Sequence, residues 1–306
     1  MNKPIKSYKA FDKNMRCRGF QYEVGKEYDM NGDIQCCKRG FHACESPMEV
    51  WDYYDMLTSR FAEVEQSGKI SAEADSTKVC SSHIKIKAEL KLADIINIGV
   101  EWLKDLTSPS KIKDDSAALN DDGFDKKHIG SSGNSAQIGS SGDYAKIGSS
   151  GDYAKIGSSG NSAQIGSSGD SAQIGSSGDS AQIGSSGYYA KIGSSGDSAQ
   201  IGSSGYSAKI GSSGDSAQIG SSGYSAQIDS TGEDAVIMCA GYNSIAKAKI
   251  GSWITLAEWK QDDRKGRWVP VCVKTERVDG IKIKPDTWYK LQDGEFVEIT
   301  ENYPRI

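Results

Sequence analysis

Ile174-Gly175-Ser176-Ser177-Gly178-Asp179-Ser180-Ala181-Gln182 is followed at once by Ile183-Gly184-Ser185-Ser186-Gly187-Tyr188-Tyr189-Ala190-Lys191. These are two copies of a nonapeptide that sets an isoleucine at every ninth position from Ile129 to Ile228, twelve in all. So short and regular a period, held over a hundred residues, is the mark of a solenoid, a stack of like coils. Ala and Ile are spaced two apart (Ala145 and Ile147, Ala172 and Ile174), which in a strand points both inward and turns Lys146 or Gln173 outward. The Gly-Ser-Ser-Gly that follows is read as the corner, with glycine supplying positive φ.

Nine residues cannot circle a packed core, because a strand advances about 3.3 Å per residue. Two repeats, eighteen residues, make the smallest closed coil. Roughly six coils stacked at about 4.8 Å give a rod near 29 Å long. Residues eighteen apart then share an edge. Tyr188, Tyr206 and Tyr224 form one ladder, Asp179, Asp197 and Asp215 a second on the other side, and Lys191 and Lys209 keep the same spacing. These eight residues are the candidate binding positions. The core is thin, Ile and Ala with some Ser, so stability must come from stacking and continuous backbone hydrogen bonds. Rod ends are open sheet edges that need cover. The repeat decays accordingly, upstream at Ser116-Ala117-Ala118-Leu119 and downstream at Ile228-Asp229-Ser230-Thr231-Gly232 and Ile237-Met238-Cys239-Ala240-Gly241.

Outward from the rod the chain divides into residues 1–107, an α+β domain; 108–128, a linker with a worn first repeat; 129–249, the solenoid; and 250–306, an all-β cap. The fold class is mainly β. In the first domain, Phe20–Gly25 and Arg60–Val64 alternate like strands. Ser46-Pro47-Met48-Glu49 has the form of a capping box opening a short helix through Tyr54, and a second helix is expected from Ala93 to about Leu106. In the last, Trp253–Ala257 and Trp268–Val273 flank a charged loop, Gln261–Gly266, and Asp279-Gly280 and Asp293-Gly294 read as hairpin turns.

Composition narrows the chemistry. Seven cysteines, an odd number spread over 306 residues, do not make a disulfide scaffold and fit reduced thiols. No run is apolar enough to span a membrane, and Met1–Lys6 lacks the apolar core of a secretory signal. A cytoplasmic location in a bacterial host is expected, with no membrane partner. The net charge is −5, and six Asp against four Lys leave Ile129–Ile228 nearly neutral. That disfavours both a DNA-mimicking polyanion and a basic nucleic-acid binder.

Cys36, Cys37, His42 and Cys44, with Cys17 as a further ligand, are metal-ligand types, yet their spacing fits no usual zinc pattern. Buried thiols are the plainer reading, and no metal or cofactor is expected. His42 and Cys44, two apart on one strand, could meet as a catalytic pair, but no orienting group or oxyanion site is evident. The aspartate ladder invites comparison with calcium-binding β-rolls. Their doubled glycine is missing, and Tyr takes the Asp position in three repeats. Ice binding is disfavoured by the absence of flat threonine arrays, and no phosphate loop, Rossmann fingerprint or zincin motif occurs. The tyrosines can serve as a recognition surface or simply stabilise the stack.

Lys9-Ala10-Phe11-Asp12, Cys17-Arg18-Gly19-Phe20-Gln21-Tyr22-Glu23-Val24-Gly25-Lys26 and Gly40-Phe41-His42-Ala43-Cys44 resemble an uncharacterised domain family of bacteriophages and prophages. In such proteins the domain often precedes Gly/Ser/Ala/Ile repeats and a C-terminal module like Gly251–Trp259 with Ile283–Leu291. The resemblance implies a phage or mobile-element origin and carries no established activity. Ser-Ala-Gln-Ile-Gly also resembles the head repeat of trimeric autotransporter adhesins, whose repeats are longer and whose export signal and anchor have no counterpart here.

The expected function is a non-enzymatic, intracellular interaction protein with a host protein as partner, such as an inhibitor of a host defence protein. Two rods sharing an interface would be a homo-oligomeric version. The alternatives are a virion or tail-associated spacer, or an enzyme with His42, Cys44, Tyr22 and Arg18 in the N-terminal domain.

Overall fold

The computed structural model describes residues 3–73, 76–106, 118–120 (backbone) and 128–299. It contains two compact units, Met1–Trp102 and Leu103–Ile306.

In the first unit, strands β1 (Ile5–Phe11), β2 (Arg16–Cys17), β3 (Phe20–Gln21), β4 (Glu27–Asp29) and β5 (Phe41–Cys44) precede a single helical turn, α1 (Val50–Tyr53). Two long strands, β6 (Arg60–Ala72) and β7 (Lys78–Leu90), lead into helix α2 (Leu92–Leu106). The sheet runs β4-β7-β5-β1-β6 with β6 also paired to β7, so β7, β5, β1 and β6 form a closed, wholly antiparallel ring. Phe11, Phe41, Val64, Ile84 and Ile86 fill it. Helix α2 forms where expected and buries Ile95, Ile96 and Val100. The capping box does not form. Glu49 sends its carboxylate to the N–H and hydroxyl of Thr77 (3.0 Å each), and the Ser46 N–H donates to the same hydroxyl (2.9 Å). A long-range contact has taken the groups that would have closed the cap, and the helix shrinks to one turn.

The second unit is the solenoid. Four-residue strands pair in parallel with strands eighteen residues away, as Gln173-Ile174-Gly175-Ser176 does with Lys191-Ile192-Gly193-Ser194. Alternate repeats build two sheets, giving about seven turns of eighteen residues. Isoleucines from both sheets meet in one core column, with alanines fully buried beside them. Backbone groups are consumed by the stack. Lys191 N–H donates to Ala172 O (2.9 Å) and Ser195 N–H to Ser176 O (2.9 Å), each nineteen residues back. Upstream, Ala118–Asn120 pairs with Gln137–Gly139 and puts Leu119 in the isoleucine row, as the worn repeat implies. Ser116 and Ala117 lie outside the described residues.

Glycine's part in the corner differs from the expectation. Among the described residues no repeat glycine has positive φ. That conformation falls on the residue before each alanine, Ser180 (φ 55°), Tyr189 (57°) and Ser198 (54°) among them. Its N–H reaches into the next coil, as Ser180 N–H does to Asp197 O (2.8 Å). From Gly151 onward the second glycine of each repeat is required by space instead. A Cβ on Gly187 would lie 2.0 Å from the carbonyl oxygen of Gly169. The first glycine on the open sheet is unconstrained, since a Cβ on Gly184 would meet nothing within 4 Å.

A column of serine side chains also faces the core. Hydroxyls of Ser158, Ser176, Ser194 and Ser212 are buried without a hydrogen-bond partner. An unmatched buried hydroxyl is destabilising. Ser194→Ala should therefore stabilise the protein by about 1 kcal/mol, read as a higher urea midpoint at unchanged slope. On the other sheet the equivalent serine row becomes apolar toward the C-terminal end, Ser221 stacking on Cys239 and Cys239 on Leu256.

Both sheets end in antiparallel hairpins. Trp253–Asp262 continues one sheet and pairs with Arg267–Arg277, while Tyr289–Gln292 joins the other and pairs with Glu295–Glu298. The outermost strands are charged and one carries Pro270, which discourages further pairing. Asp293-Gly294 is the hairpin turn expected, with both φ angles positive. Asp279-Gly280 is not. Asp279 accepts the N–H groups of Ile281, Lys282 and Ile283, holding a loop rather than joining two strands.

Candidate functional site

Two regions concentrate chemistry, one in each unit. In the solenoid they are the two turn edges. On one, the residue after the corner glycine is acidic or amide: Asp143, Asn161, Asp179, Asp197, Asp215 and Glu233. Here Oδ1 of Asp179 accepts the N–H of Asp197 (3.0 Å), Asp197 that of Asp215 (2.9 Å), and Asp215 that of Glu233 (2.7 Å). Each expected aspartate thus spends one oxygen holding the coil above it. The same bond runs up the other edge through Asp152 to Asp170 and ends on the N–H of Tyr188 (2.8 Å), where tyrosine takes over.

A phenol cannot reproduce the carboxylate's bond in that place, and stacking replaces it. Rings of Tyr188 and Tyr206 have centroids 6.1 Å apart, Tyr206 and Tyr224 5.6 Å with planes 9° apart, and Tyr224 and Tyr242 4.6 Å. Trp268 of the terminal hairpin closes the row 4.2 Å from Tyr242, and Tyr189 flanks it 6.2 Å from Tyr206. Tyr242 and Trp268 were not singled out from the sequence, although Tyr242 is simply eighteen beyond Tyr224. The row stays accessible, with Tyr188 56% and Tyr224 38% exposed. Lys191 and Lys209 lie apart from it, half-buried and adjacent on a sheet's outer face, where Gln173 is buried too. The opposite outer face is open, a trough of about 1390 Å³ floored by Gly148, Gly166, Gly184 and Gly202.

In the N-terminal unit a cavity of about 590 Å³ opens between β1, the β2–β3 hairpin, residues 37–40, β5 and the residues around α1. His42, Cys44, Tyr22 and Arg18, taken from the sequence as reactive types, all line it. Their states do not suit thiol catalysis. Burial pushes the Cys44 thiol up to about 12, aided by the charge of Glu49. Burial and then the charges of Lys9, Arg18 and Lys78 hold His42 below the usual imidazole range. Its Nε2 accepts the N–H of Cys37 (2.9 Å), which leaves the ring proton on Nδ1. The metal-ligand types that converge, among the described residues, are Cys36, Cys37 and Glu73, with donor atoms within 4.8 Å of one another. His42 and Cys44 are not in that group, and Glu73 is bonded to Lys78 (2.7 Å).

Sequence reasoning missed two lining residues, Lys9 and Tyr54, and took a third, Cys17, only as a candidate metal ligand. Lys9 is 4% exposed. Its ammonium donates to the carbonyl of His42 (2.8 Å) and to Cys17 Sγ (3.5 Å), and sits 5.5 Å from the Tyr22 ring centre. Cys17 in turn shares a hydrogen bond with the Tyr54 hydroxyl (2.7 Å). Strand alternation was the available signal, because Lys9 falls on the same side as the core residue Phe11. At the rim, Cys17 pairs with Phe20 across a two-residue turn in which Arg18 (φ 50°) and Gly19 (φ 79°) are both left-handed. Turns of that kind favour Asn-Gly, and holding arginine there costs about 1 kcal/mol.

The fold and sites define a β protein with two distinct parts, a closed antiparallel sheet around a cationic, aromatic cavity and a β-solenoid with one aromatic and one acidic edge. Residues 5–98 match the model of a domain of unknown function, DUF7666, so the match covers the cavity and stops before the repeats. No curated protein and no solved structure matches the chain. Among the described residues no helix is long and apolar enough to cross a membrane.

Proposed function

We propose that this chain is a non-enzymatic interaction protein of phage or prophage type, acting in the bacterial cell, whose solenoid presents its aromatic edge to a host protein. Inhibition of a host defence protein is the task that fits such a scaffold. The observation that carries this reading is the continuous row of accessible rings from Tyr188 to Trp268. Tyrosine and tryptophan are the side chains on which binding energy concentrates at protein interfaces. The repeat's own consensus at that position is Asp, which holds the coils together without any ring. Tyrosine is therefore not needed for the stack to form.

That substitution supplies the test. Tyr188→Asp, Tyr206→Asp and Tyr224→Asp together should leave stability within about 1 kcal/mol, since stacking lost is offset by carboxylate bonds gained. Capture of a defined partner from host lysate should fall by at least about tenfold. Equal capture by the triple variant would remove the aromatic edge from the interaction.

A further inference from the structure

We propose that the cavity of the N-terminal unit binds a nucleoside phosphate, its phosphate held by Lys9 and Arg18 and its base packed on the aromatic rim. This goes beyond the interaction role of the solenoid and does not depend on it.

The first ground is charge. The chain as a whole is acidic, with a net charge of −5. Yet the cavity is lined by Lys9, Arg18, Lys38, Arg39 and Lys78 and, among the described residues, by no aspartate or glutamate. Lys78 is matched by Glu73 (2.7 Å) and Arg39 donates to the carbonyl of Asn31 (2.6 Å). Among the described residues Lys9 has no such counterion. A buried ammonium is stable only when paired, hydrogen-bonded or neutralised. Here it has a carbonyl and a thiol for its three donors, and burial lowers its pKa from the ordinary lysine range. An anion entering the cavity would supply the missing partner.

The second ground is the strain at Arg18. A left-handed arginine before Gly19 is a costly choice in a two-residue turn, and the turn sets that side chain at the cavity lining. Strain of this kind is retained where the side chain has work to do. A planar guanidinium suits a phosphate because it can donate two parallel bonds.

The third ground is the remaining surface. Phe20 is 46% and Tyr53 45% exposed, and both line the cavity. Phe20 packs against Tyr22, Tyr28 and Phe41, with centres 4.8, 5.3 and 6.2 Å away, and its exposed part is the aromatic surface offered to a base. The volume of about 590 Å³ lies within the range of small-molecule sites.

The test is titration of the full chain with each nucleoside monophosphate, with the parent nucleosides and with inorganic phosphate, followed by calorimetry. At least one monophosphate should bind about tenfold or more tighter than its nucleoside and than phosphate alone. Lys9→Met keeps the buried stem and removes the charge. Arg18→Asn suits the left-handed turn and should hold or raise the melting temperature. Each should weaken nucleotide binding by about tenfold or more. The proposal is overturned if no monophosphate binds at millimolar concentration, or if both variants bind as the parent does. Phosphate binding as tightly as every nucleotide would also overturn it, since the aromatic rim would then contribute nothing.

Discussion

Removing the eighteen residues 174–191 should leave a folded protein, whereas removing Gln182 alone should not. The excised stretch is one whole coil, so Gln173 is followed by Ile192 in the same sheet and at the same phase of the repeat. Every later side chain keeps its side, and the rod loses one unit of a nearly additive stack. Gln182 contributes an outward, exposed side chain and one rung of the backbone ladder, its N–H donating to Ala163 O (2.8 Å). Its removal leaves eight residues to do the work of nine. Either Ile183 turns to solvent and Gly184 faces the core, or Ala181 and the left-handed Ser180 leave the turn. A one-residue slip reverses which face each side chain occupies. Exposing the isoleucine and breaking that coil's backbone bonds should cost about 4 kcal/mol or more. Urea titrations followed by circular dichroism compare the three proteins. Comparable midpoints for the two deletions would mean that eighteen residues are not the coil.

Gly187→Ala should cost about 3 kcal/mol, while Gly184→Ala, three residues earlier, should be neutral or slightly stabilising. At Gly187 the added Cβ would lie 2.0 Å from the carbonyl oxygen and 2.6 Å from the carbonyl carbon of Gly169. Those are backbone atoms of the coil below, held by stacking on both sides, so neither partner can swing away. Relief requires separating two coils, the overpacking case at the costly end of its range. At Gly184 the Cβ would meet nothing within 4 Å. There alanine lowers the entropy of the unfolded chain and improves the strand, an effect of about 0.5 kcal/mol. Since neither glycine has positive φ, the difference isolates coil spacing from backbone conformation.

Much of the solenoid was legible because its information is periodic. The nine-residue spacing of Ile and Ala and the alternation about them require the two-sheet coil, and residues eighteen apart do stack, as Tyr206 on Tyr224 and Asp179 beneath Asp197 show. What failed was the physical assignment inside the corner. Glycine's freedom of φ was the obvious explanation, yet the left-handed residue is Ser180 or Tyr189, and glycine is needed because the next coil leaves no room. Only stacking geometry reveals that. The aspartate row was visible as a ladder, but its bond to the amide of the coil above was not, because the acceptor's partner lies eighteen residues on.

The N-terminal cavity was less legible for a related reason. Its walls come from β1, a hairpin turn, β5 and the residues beside α1, and these meet only because β6 and β7 close the sheet into a ring. His42, Cys44, Tyr22 and Arg18 are near enough in sequence to be grouped by residue type. Lys9 and Tyr54, which decide the cavity's charge and hydrogen bonding, are not. The capping box at Ser46–Glu49 failed in the same way, its groups being claimed by Thr77, which no local pattern announces.

The most direct measurement is site-specific photocrosslinking in host cells, with p-benzoylphenylalanine placed at Tyr206 on the aromatic edge or at Asp197 on the acidic edge. The account predicts one defined protein crosslinked from position 206 and none from position 197. Equal crosslinking of that protein from both edges, or crosslinking from position 197 alone, would contradict it.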